Sequence, residues 1–554
     1  MMSQPKQGVV KKIKGNVTLS NSLGQTYSLK KGDILNIGDT ILNKENANLK
    51  IKFSNGKKMK LDRNKNIVGL ADMMSKAFKE ELTHQITHHL YEKDPMYSAK
   101  HTFSLGEKVI LGCILLGLIV AGFFNFPVGL FWLNAVLVTV TLGIWIYKFL
   151  MGMVSFSIPL KNYSEKFLIK IEDNDLPIYT ILIPLYKEKE VTIRFLLDAL
   201  NQLDYPRDKL DLKLILETDD VKTKEMIEKL NHPLKFQLLS VPDGTPRTKA
   251  RACNYGLEFA LGEYITIFDA EDRPDPDQLK KAYHAFQTHD DKLVCLQAAL
   301  NFYNANENTL TRMFTLEYTF LFDLLLPALN DLNLPIPLGG TSNHFKTKIL
   351  RKLGGWDPYN VTEDADLGMR IHNWGYRVGT LFSTTYEEAN CRLFNWFQQR
   401  TRWIKGYMQT YLVYMRKPLE FMRHTGVQGF ISFQFIIGGT VFANLCNVIL
   451  WMIFITTYFF PNSTEFMFSE TVLKIAFYNF IAGNLILISI HVMAACRRGL
   501  YRLVPYAFLT PFYWILMSVA SYIALYELIF KPSYWYKTEH GLSQYLIKPA
   551  VEKT

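Results

Sequence analysis

The sequence predicts an α/β protein. A doubly wound, mostly parallel sheet is held between transmembrane α-helices, and a small all-β domain precedes it. Three observations carry this. Residues 178–390 alternate short apolar runs with helical patterns, the signature of strand–helix–strand units. Val109–Phe124 and Val128–Phe149 carry no charge except Lys148, and each is near the roughly 20 residues a helix needs to cross a bilayer. Residues 7–66 show short strand patterns separated by turn residues.

From the start of the chain, Gly8-Val-Val10, Asn16-Val-Thr-Leu19, Thr26-Tyr-Ser-Leu29, Leu49-Lys-Ile-Lys-Phe53 and Met59-Lys-Leu61 read as strands. Ser54-Asn-Gly56 is a hairpin turn, because Asn and Gly tolerate positive φ. Lys31-Gly-Asp33 and Ile37-Gly-Asp39 are similar turns. Residues 1–70 thus form a β domain, which resembles the β module of ferric-citrate-regulator (FecR-like) proteins. Residues 71–104 form a helix and linker. His84 and His88 fall at i, i+4 there, with His89 beside them. Without a third ligand they read as a solvated helix face rather than a metal pair.

Residues 105–150 are a transmembrane hairpin turning at Asn125-Phe-Pro127. It starts well inside the chain and is not a signal peptide. Two crossings place residues 1–100 and the region after 150 on one side. Within residues 426–530, crossings are expected near Val441–Phe460 and at Ile475–Ala495. The loop that follows carries Arg497, Arg498 and Arg502, which places it in the cytoplasm by the positive-inside rule. Ala507–Phe530 is long enough to cross. Its Pro511, Tyr513, Trp514, Ser518, Ser521, Tyr522 and Tyr526 suit a helix lying flat in the interface, and crossing would put Lys531, Lys537, Lys548 and Lys553 outside. The expected location is the inner (plasma) membrane, with residues 151–425 and the β domain cytoplasmic.

Among 554 residues, 49% are hydrophobic, 14% aromatic and 20% charged. That is enough apolar surface for a sizeable core and excludes a disordered chain. Of the net charge of +11, residues 1–100 hold +9, from 18 Lys+Arg against 9 Asp+Glu. No aromatic-interleaved basic motif accompanies this excess, so nucleic acid is not an expected partner. A surface facing anionic lipid heads and a merely solvated face both fit. The six cysteines form no CxxC pair and read as reduced.

In the middle region Tyr179-Thr-Ile-Leu-Ile183, Leu212–Leu216, Phe236–Val241 and Tyr264-Ile-Thr-Ile-Phe268 are strands. Val191–Leu203 and Val221–Leu230 are helices. Ligands of such sheets bind at the carboxyl ends of strands, and carboxylates stand there. Asp219-Asp220 follow Leu212–Leu216, and Asp269-Ala-Glu271-Asp272 follow Tyr264–Phe268. Thr362-Glu363-Asp364 and Gln399-Arg-Thr-Arg402-Trp403 come later. Helix capping by Asp219, or by Asp364 and Asp366, is the competing reading for single motifs.

In order, these motifs resemble the D, DxD, TED and QxxRW signature of processive family 2 glycosyltransferases, the cellulose-synthase-like group. The resemblance spans roughly residues 105–545 and implies a GT-A type catalytic domain over 151–425. It implies an inverting transfer from a nucleotide-sugar, UDP-linked, to a growing β-linked polysaccharide. A lipid acceptor glycosylated once is the alternative, and an inactive membrane sensor or scaffold is a second. The lipid bilayer and exopolysaccharide export partners are implied too.

The same resemblance assigns roles. Asp269 with Glu271 or Asp272 would hold Mg²⁺ or Mn²⁺ against the diphosphate. The second family Asp is Glu271 here, which leaves that choice open. Asp364 is placed as the base and Glu363 beside it. Gln399, Arg402 and Trp403 would hold the leaving diphosphate and stack a sugar. Asp219 or Asp220, with Pro184, Tyr186 and Glu188 in Ile183-Pro-Leu-Tyr-Lys-Glu188, would contact the nucleotide. Lys249 and Asn254, in Thr248-Lys-Ala-Arg-Ala-Cys-Asn254, would lie on the diphosphate side. Pro337-Leu-Gly-Gly-Thr-Ser-Asn343 would admit the acceptor. Trp535-Tyr-Lys-Thr-Glu-His-Gly541, in the cytoplasmic tail 531–554, resembles a gating loop, with Lys537, Thr538 and His540 over the nucleotide.

Overall fold

The structure, a computed structural model, describes residues 76–104, 126–158, 171–230, 232–460, 470–532, 534 and 537–546, with shorter pieces of residues 7–69 and 106–117. Eight short strands come first: β1 (Gln7–Lys14), β2 (Thr18–Ser20), β3 (Thr26–Ser28), β4 (Ile34–Asn36), β5 (Thr40–Leu42), β6 (Asn48–Phe53), β7 (Lys58–Lys60) and β8 (Ile67–Gly69). They form two antiparallel sheets, β4-β1-β6-β7 and β3-β2-β5-β8. β6 and β7 pair antiparallel, Ile51 opposite Met59; the expected turn Ser54-Asn-Gly56 lies outside the described residues. β4, β5 and β8 are not among the strands read from the sequence.

Helix α1 (Lys76–Lys93) is next. His88 meets the Tyr359 hydroxyl at 2.8 Å through Nδ1. His84 and Glu92 are exposed and 3.4 Å apart. His84 is solvated as expected, whereas His88 packs against Tyr359 and His89 is half-buried.

The predicted crossing Val109–Phe124 lies for the most part outside the described residues. Helix α2 runs over Phe126–Ser157. Phe126 and Pro127 therefore open the helix instead of forming the expected turn. Proline fits a first helical turn, where its missing N–H has no partner to lose.

The central sheet holds β9 (Tyr179–Leu185), β10 (Leu210–Glu217), β11 (Gln237–Val241), β12 (Tyr264–Ile267), β13 (Arg273–Pro274), β14 (Leu293–Phe302), β15 (Asn343–Lys346) and β16 (Arg377–Glu387). Their order is β11-β10-β9-β12-β15-β14-β16-β13. β9, β10, β11 and β12 are mutually parallel neighbours, and β14 is parallel to β16. β15 is inserted antiparallel between β12 and β14. Strands β9 and β10 are buried on both faces, which is why they read as continuous apolar runs.

Helices α3 (Glu190–Asn201), α4 (Val221–Glu228), α5 (Lys249–Phe259), α6 (Gln278–Thr288) and α7 (Thr309–Phe320) fill the connections. α8 (Glu363–Asn373) and the long α9 (Leu393–Met415) follow. α10 (Pro418–Phe433), α11 (Gly439–Phe459), α12 (Glu470–Arg498) and α13 (Thr510–Phe530) complete the chain's main helices.

Four stretches are long and apolar enough to cross a membrane: Asn134–Ser157, Pro418–Thr456, Leu473–Arg498 and Thr510–Phe530. α2 and α12 meet the sheet domain at their C-terminal ends. Ser155 bonds the Asp323 carbonyl at 3.3 Å, and Arg498 grips the Asp323 carboxylate at 2.8 Å to each oxygen. α13 runs alongside α9, from Trp396 against Tyr513 (3.2 Å) to Gln409 against the Pro532 carbonyl (3.2 Å).

Candidate active site

The parallel strands β9, β10 and β12 end on one edge of the sheet, and a cavity of about 570 Å³ opens there. Most of the expected residues line it: Pro184 near the end of β9, Tyr186 and Glu188 after it, Lys249 on α5, Asp269 and Glu271 after β12, Glu363 and Asp364 on α8, Gln399, Arg402 and Trp403 on α9, and Lys537, Thr538 and His540 from the tail. Trp535 and Tyr536 lie outside the described residues.

Lys249 is the hub. Its ammonium reaches Asp269 at 2.5–2.6 Å and the Gly340 carbonyl at 2.7 Å. Burial alone would lower its pKa, but the Asp269 carboxylate holds it above its ordinary value. Across the cavity His540 pairs with Glu271 at 2.7 Å. Burial disfavours the imidazolium, yet Glu271 and then Glu188 outweigh it and push its pKa up to about 9. Glu271 is correspondingly held below its ordinary value against the pull of burial. Lys537 ties the tail down through Glu188 at 2.7 Å and through the Tyr186 carbonyl. Glu388 accepts from the backbone of Gly541, Leu542 and Ser543.

Asp272 behaves differently from its neighbours. It is fully buried, accepts from the Asp269 N–H at 2.7 Å and takes the Thr341 hydroxyl. Burial, with Asp269 and Glu271 nearby, raises its pKa well above normal. It staples the loop, and of the two candidates Glu271 is the one facing the cavity.

Two other expectations need correction. Asp220 is buried and caps α4, accepting from the Thr223 N–H at 3.3 Å and from the Lys187 N–H. The capping residue is Asp220 and not Asp219. Asp219 is the more open member, paired at 2.7 Å with Arg247, which lines the cavity. Asn254 does not face the diphosphate side. Its amide donates to the carbonyls of Ile86 (3.0 Å) and Trp356 (2.8 Å) and accepts from the Trp356 N–H (2.9 Å). Five residues at ~100° each put it about 140° around α5 from Lys249. It clamps α1 to the sheet domain.

Asp364 accepts from the Ala365 N–H at 2.7 Å, and burial raises its pKa. Burial and then Asp364 push Glu363 up to about 8. Arg402 sits among Glu363, Asp364 and Asp269, with burial drawing its pKa down. Trp403 packs against Tyr318, stacked at 6.0 Å, and the Arg400 guanidinium lies 4.7 Å from its ring. Arg400 is itself held by a bidentate Glu317, at 2.7 Å to each oxygen.

Sequence reasoning missed Glu317, Tyr318, Glu387 and Lys148, all of which line the cavity. Lys148 was visible as a charge in an apolar stretch, and the others had no local signal. Glu387 is raised well above the usual carboxylate range by burial and by Asp272, Glu271 and Asp269.

Residues 264–530 match the family described as Glycosyl transferase family group 2. The chain is 26% identical over 376 residues to a probable glycosyltransferase, YdaM, of Bacillus subtilis (strain 168), covering 66% of this chain and 87% of that protein. It is 26% identical over 238 residues to glucomannan 4-beta-mannosyltransferase 1 of Oryza sativa subsp. japonica, covering 42% of this chain and 45% of the relative. A solved mannosyltransferase, PcManGT from Pyrobaculum calidifontis in complex with GDP-Man and Mn²⁺, aligns with a TM-score of 0.45 and 20% identity over 72% of this chain and 99% of that one. The match over residues 264–530 and these relatives support a family 2 glycosyltransferase domain there and a hexosyltransferase activity.

Proposed function

We propose that the protein is a membrane-embedded, inverting glycosyltransferase. It would transfer sugar from a UDP-linked donor to a growing β-linked polysaccharide on the cytoplasmic side of the inner membrane. One observation carries the reading: Asp269, Glu271, Lys249, Asp364 and Trp403, far apart in sequence, share one cavity that continues between apolar helices.

Asp269 and Glu271 would hold Mg²⁺ or Mn²⁺. Both present oxygen donors, which suit hard cations, and each is charge-compensated by a protein cation, Lys249 or His540. Among the described residues no three His, Cys, Asp or Glu side chains could hold a metal unaided, so donor phosphates would complete the shell. Bound there, a divalent ion would supply charge neutralisation for the departing diphosphate. Lys249 adds a point charge for the same phosphates. Asp364 takes the proton of the attacking acceptor hydroxyl, and a single displacement inverts the anomeric carbon. Trp403, fixed by its contacts with Tyr318, Arg400 and Phe314, gives the sugar a rigid aromatic wall.

Membrane embedding rests on the four apolar helices and on Arg497, Arg498 and Arg502 beside the sheet domain, as the positive-inside rule requires. We read α13 as an interface helix, tied along α9 through Tyr513 to Trp396 and Glu527 to Lys405. The tail that follows it closes over the donor. The glucomannan mannosyltransferase among the relatives makes a mannose donor the main competitor.

Full-length protein in detergent, given Mg²⁺ or Mn²⁺ and radiolabelled UDP- and GDP-sugars, should release nucleoside diphosphate and yield products many sugars long. A single sugar on lipid would replace the polysaccharide reading. Release from no donor would remove the transferase reading.

A further inference from the structure

The cavity does not end at the carboxylates. Trp145, Lys148, Thr440, His491 and Trp514 line its continuation among the apolar helices. Lys148 lies nine residues before the end of α2 at Ser157, about 14 Å along the axis at ~1.5 Å per residue. That is farther than a lysine stem reaches, so the ammonium does not snorkel to the helix end.

The Lys148 side chain is 6% exposed. Its ammonium donates to the Thr440 hydroxyl at 3.1 Å. It also lies 5.3 Å from the Trp145 ring and 5.7 Å from the Trp514 ring, and those two rings meet edge to face at 5.3 Å. No carboxylate of the described residues pairs with it. Glu317, which lines the same cavity, spends both oxygens on Arg400 and accepts the Tyr513 hydroxyl at 2.9 Å. His491 uses Nδ1 on the Leu487 carbonyl at 2.7 Å.

A buried ammonium is costly without an anion beside it. Within apolar helices such a charge marks a substrate path. Two aromatic rings and one hydroxyl ease the cost without cancelling the charge.

We propose that this is an oxyanion subsite for the acceptor: a phosphate or carboxylate carried by the acceptor docks on Lys148 between Trp145 and Trp514, with Thr440 holding a neighbouring hydroxyl. The proposal rests on the transferase reading for the word acceptor, and its binding chemistry stands apart from it. The anion has two sources, a lipid phosphate or an acidic sugar of the glycan.

The test is equilibrium binding to the detergent-purified full chain of three radiolabelled probes: a polyprenyl phosphate, a hexuronic acid oligosaccharide and an uncharged oligosaccharide of equal length. One anionic probe should bind at least tenfold tighter than the uncharged one, and which one names the source. Lys148→Met should weaken that probe at least tenfold, while Lys148→Arg stays within about threefold of wild type. Equal binding of charged and uncharged probes, or unchanged binding in Lys148→Met, overturns the proposal. Should Lys148→Met fail to fold, the wild-type comparison of charged with uncharged probes still decides. Failure of nucleoside diphosphate release would strike the transferase reading and leave this binding comparison standing.

Discussion

Gly406 on α9 controls where Asp364 sits. A Cβ at that position would stand 2.1 Å from Thr362 Oγ1, 2.5 Å from Cγ2 and 2.7 Å from Cβ. Comfortable non-bonded contact begins near ~3.5 Å. Rotating Thr362 moves Oγ1 and Cγ2 but not its Cβ, so Gly406→Ala must push the backbone back by about 1 Å. That backbone is tethered: Thr362 N–H bonds Asn360 at 3.0 Å, Asn360 bonds Thr410 at 2.9 Å, and Val361 N–H bonds Gln409 at 3.1 Å. The strain therefore passes to the start of α8, which bears Asp364. A 1 Å misplacement costs on the order of 100-fold in rate, or about 2.7 kcal/mol. Expected in a nucleoside diphosphate release assay is a kcat about 100-fold lower. Donor affinity should stay within about threefold, because Lys249, Asp269 and Glu271 stand on other elements. Adding Thr362→Ala removes two of the three colliding atoms and should restore part of the rate. A wild-type kcat in Gly406→Ala, or no recovery in the double variant, would refute the reasoning.

Asp364→Asn should lower transfer by about 10²–10⁴-fold while donor binding, followed by equilibrium dialysis, persists; lost binding would make its role structural. Asp269→Asn should abolish the metal-dependent part of donor binding, which titration with Mn²⁺ measures, and unchanged metal affinity would sink that assignment. Asp220→Ala should cost about 1 kcal/mol of stability through the lost helix cap with no specific change in donor KM. His344 is fully buried against Tyr179 at 2.7 Å and Gln278 at 3.2 Å, and burial holds its pKa at about 3, below the usual 6.5. The unfolded chain takes that proton first, so this part of the stability is full above pH ~6.5 and falls by up to about 1.4 kcal/mol per pH unit below it. Denaturant unfolding at pH 7 and pH 5 should show this slope for wild type and a smaller one in His344→Gln, the remainder coming from groups such as His372, which burial holds at about 4.

Much of the architecture is local and was legible along the chain. Buried parallel strands are continuous apolar runs, so β9, β10, β11 and β12 appeared within about two residues of their observed limits. Carboxylates at strand ends could be located because strand order and turn positions are set by nearby residues. Apolar helices announce themselves by length and composition. Which way a side chain points is another matter. Asp219 and Asp220 are adjacent, as are Glu271 and Asp272, and one member of each pair turns inward to satisfy backbone N–H groups. Lys249 and Asn254 share a helix but not a face. Glu317, Tyr318 and Lys148 reach the cavity only because α7 packs against α9, and α2 against α11 and α12. Strand and helix periods are properties of neighbouring residues. The direction and partners of a buried polar group are set by elements tens or hundreds of residues away, which only the folded chain brings together.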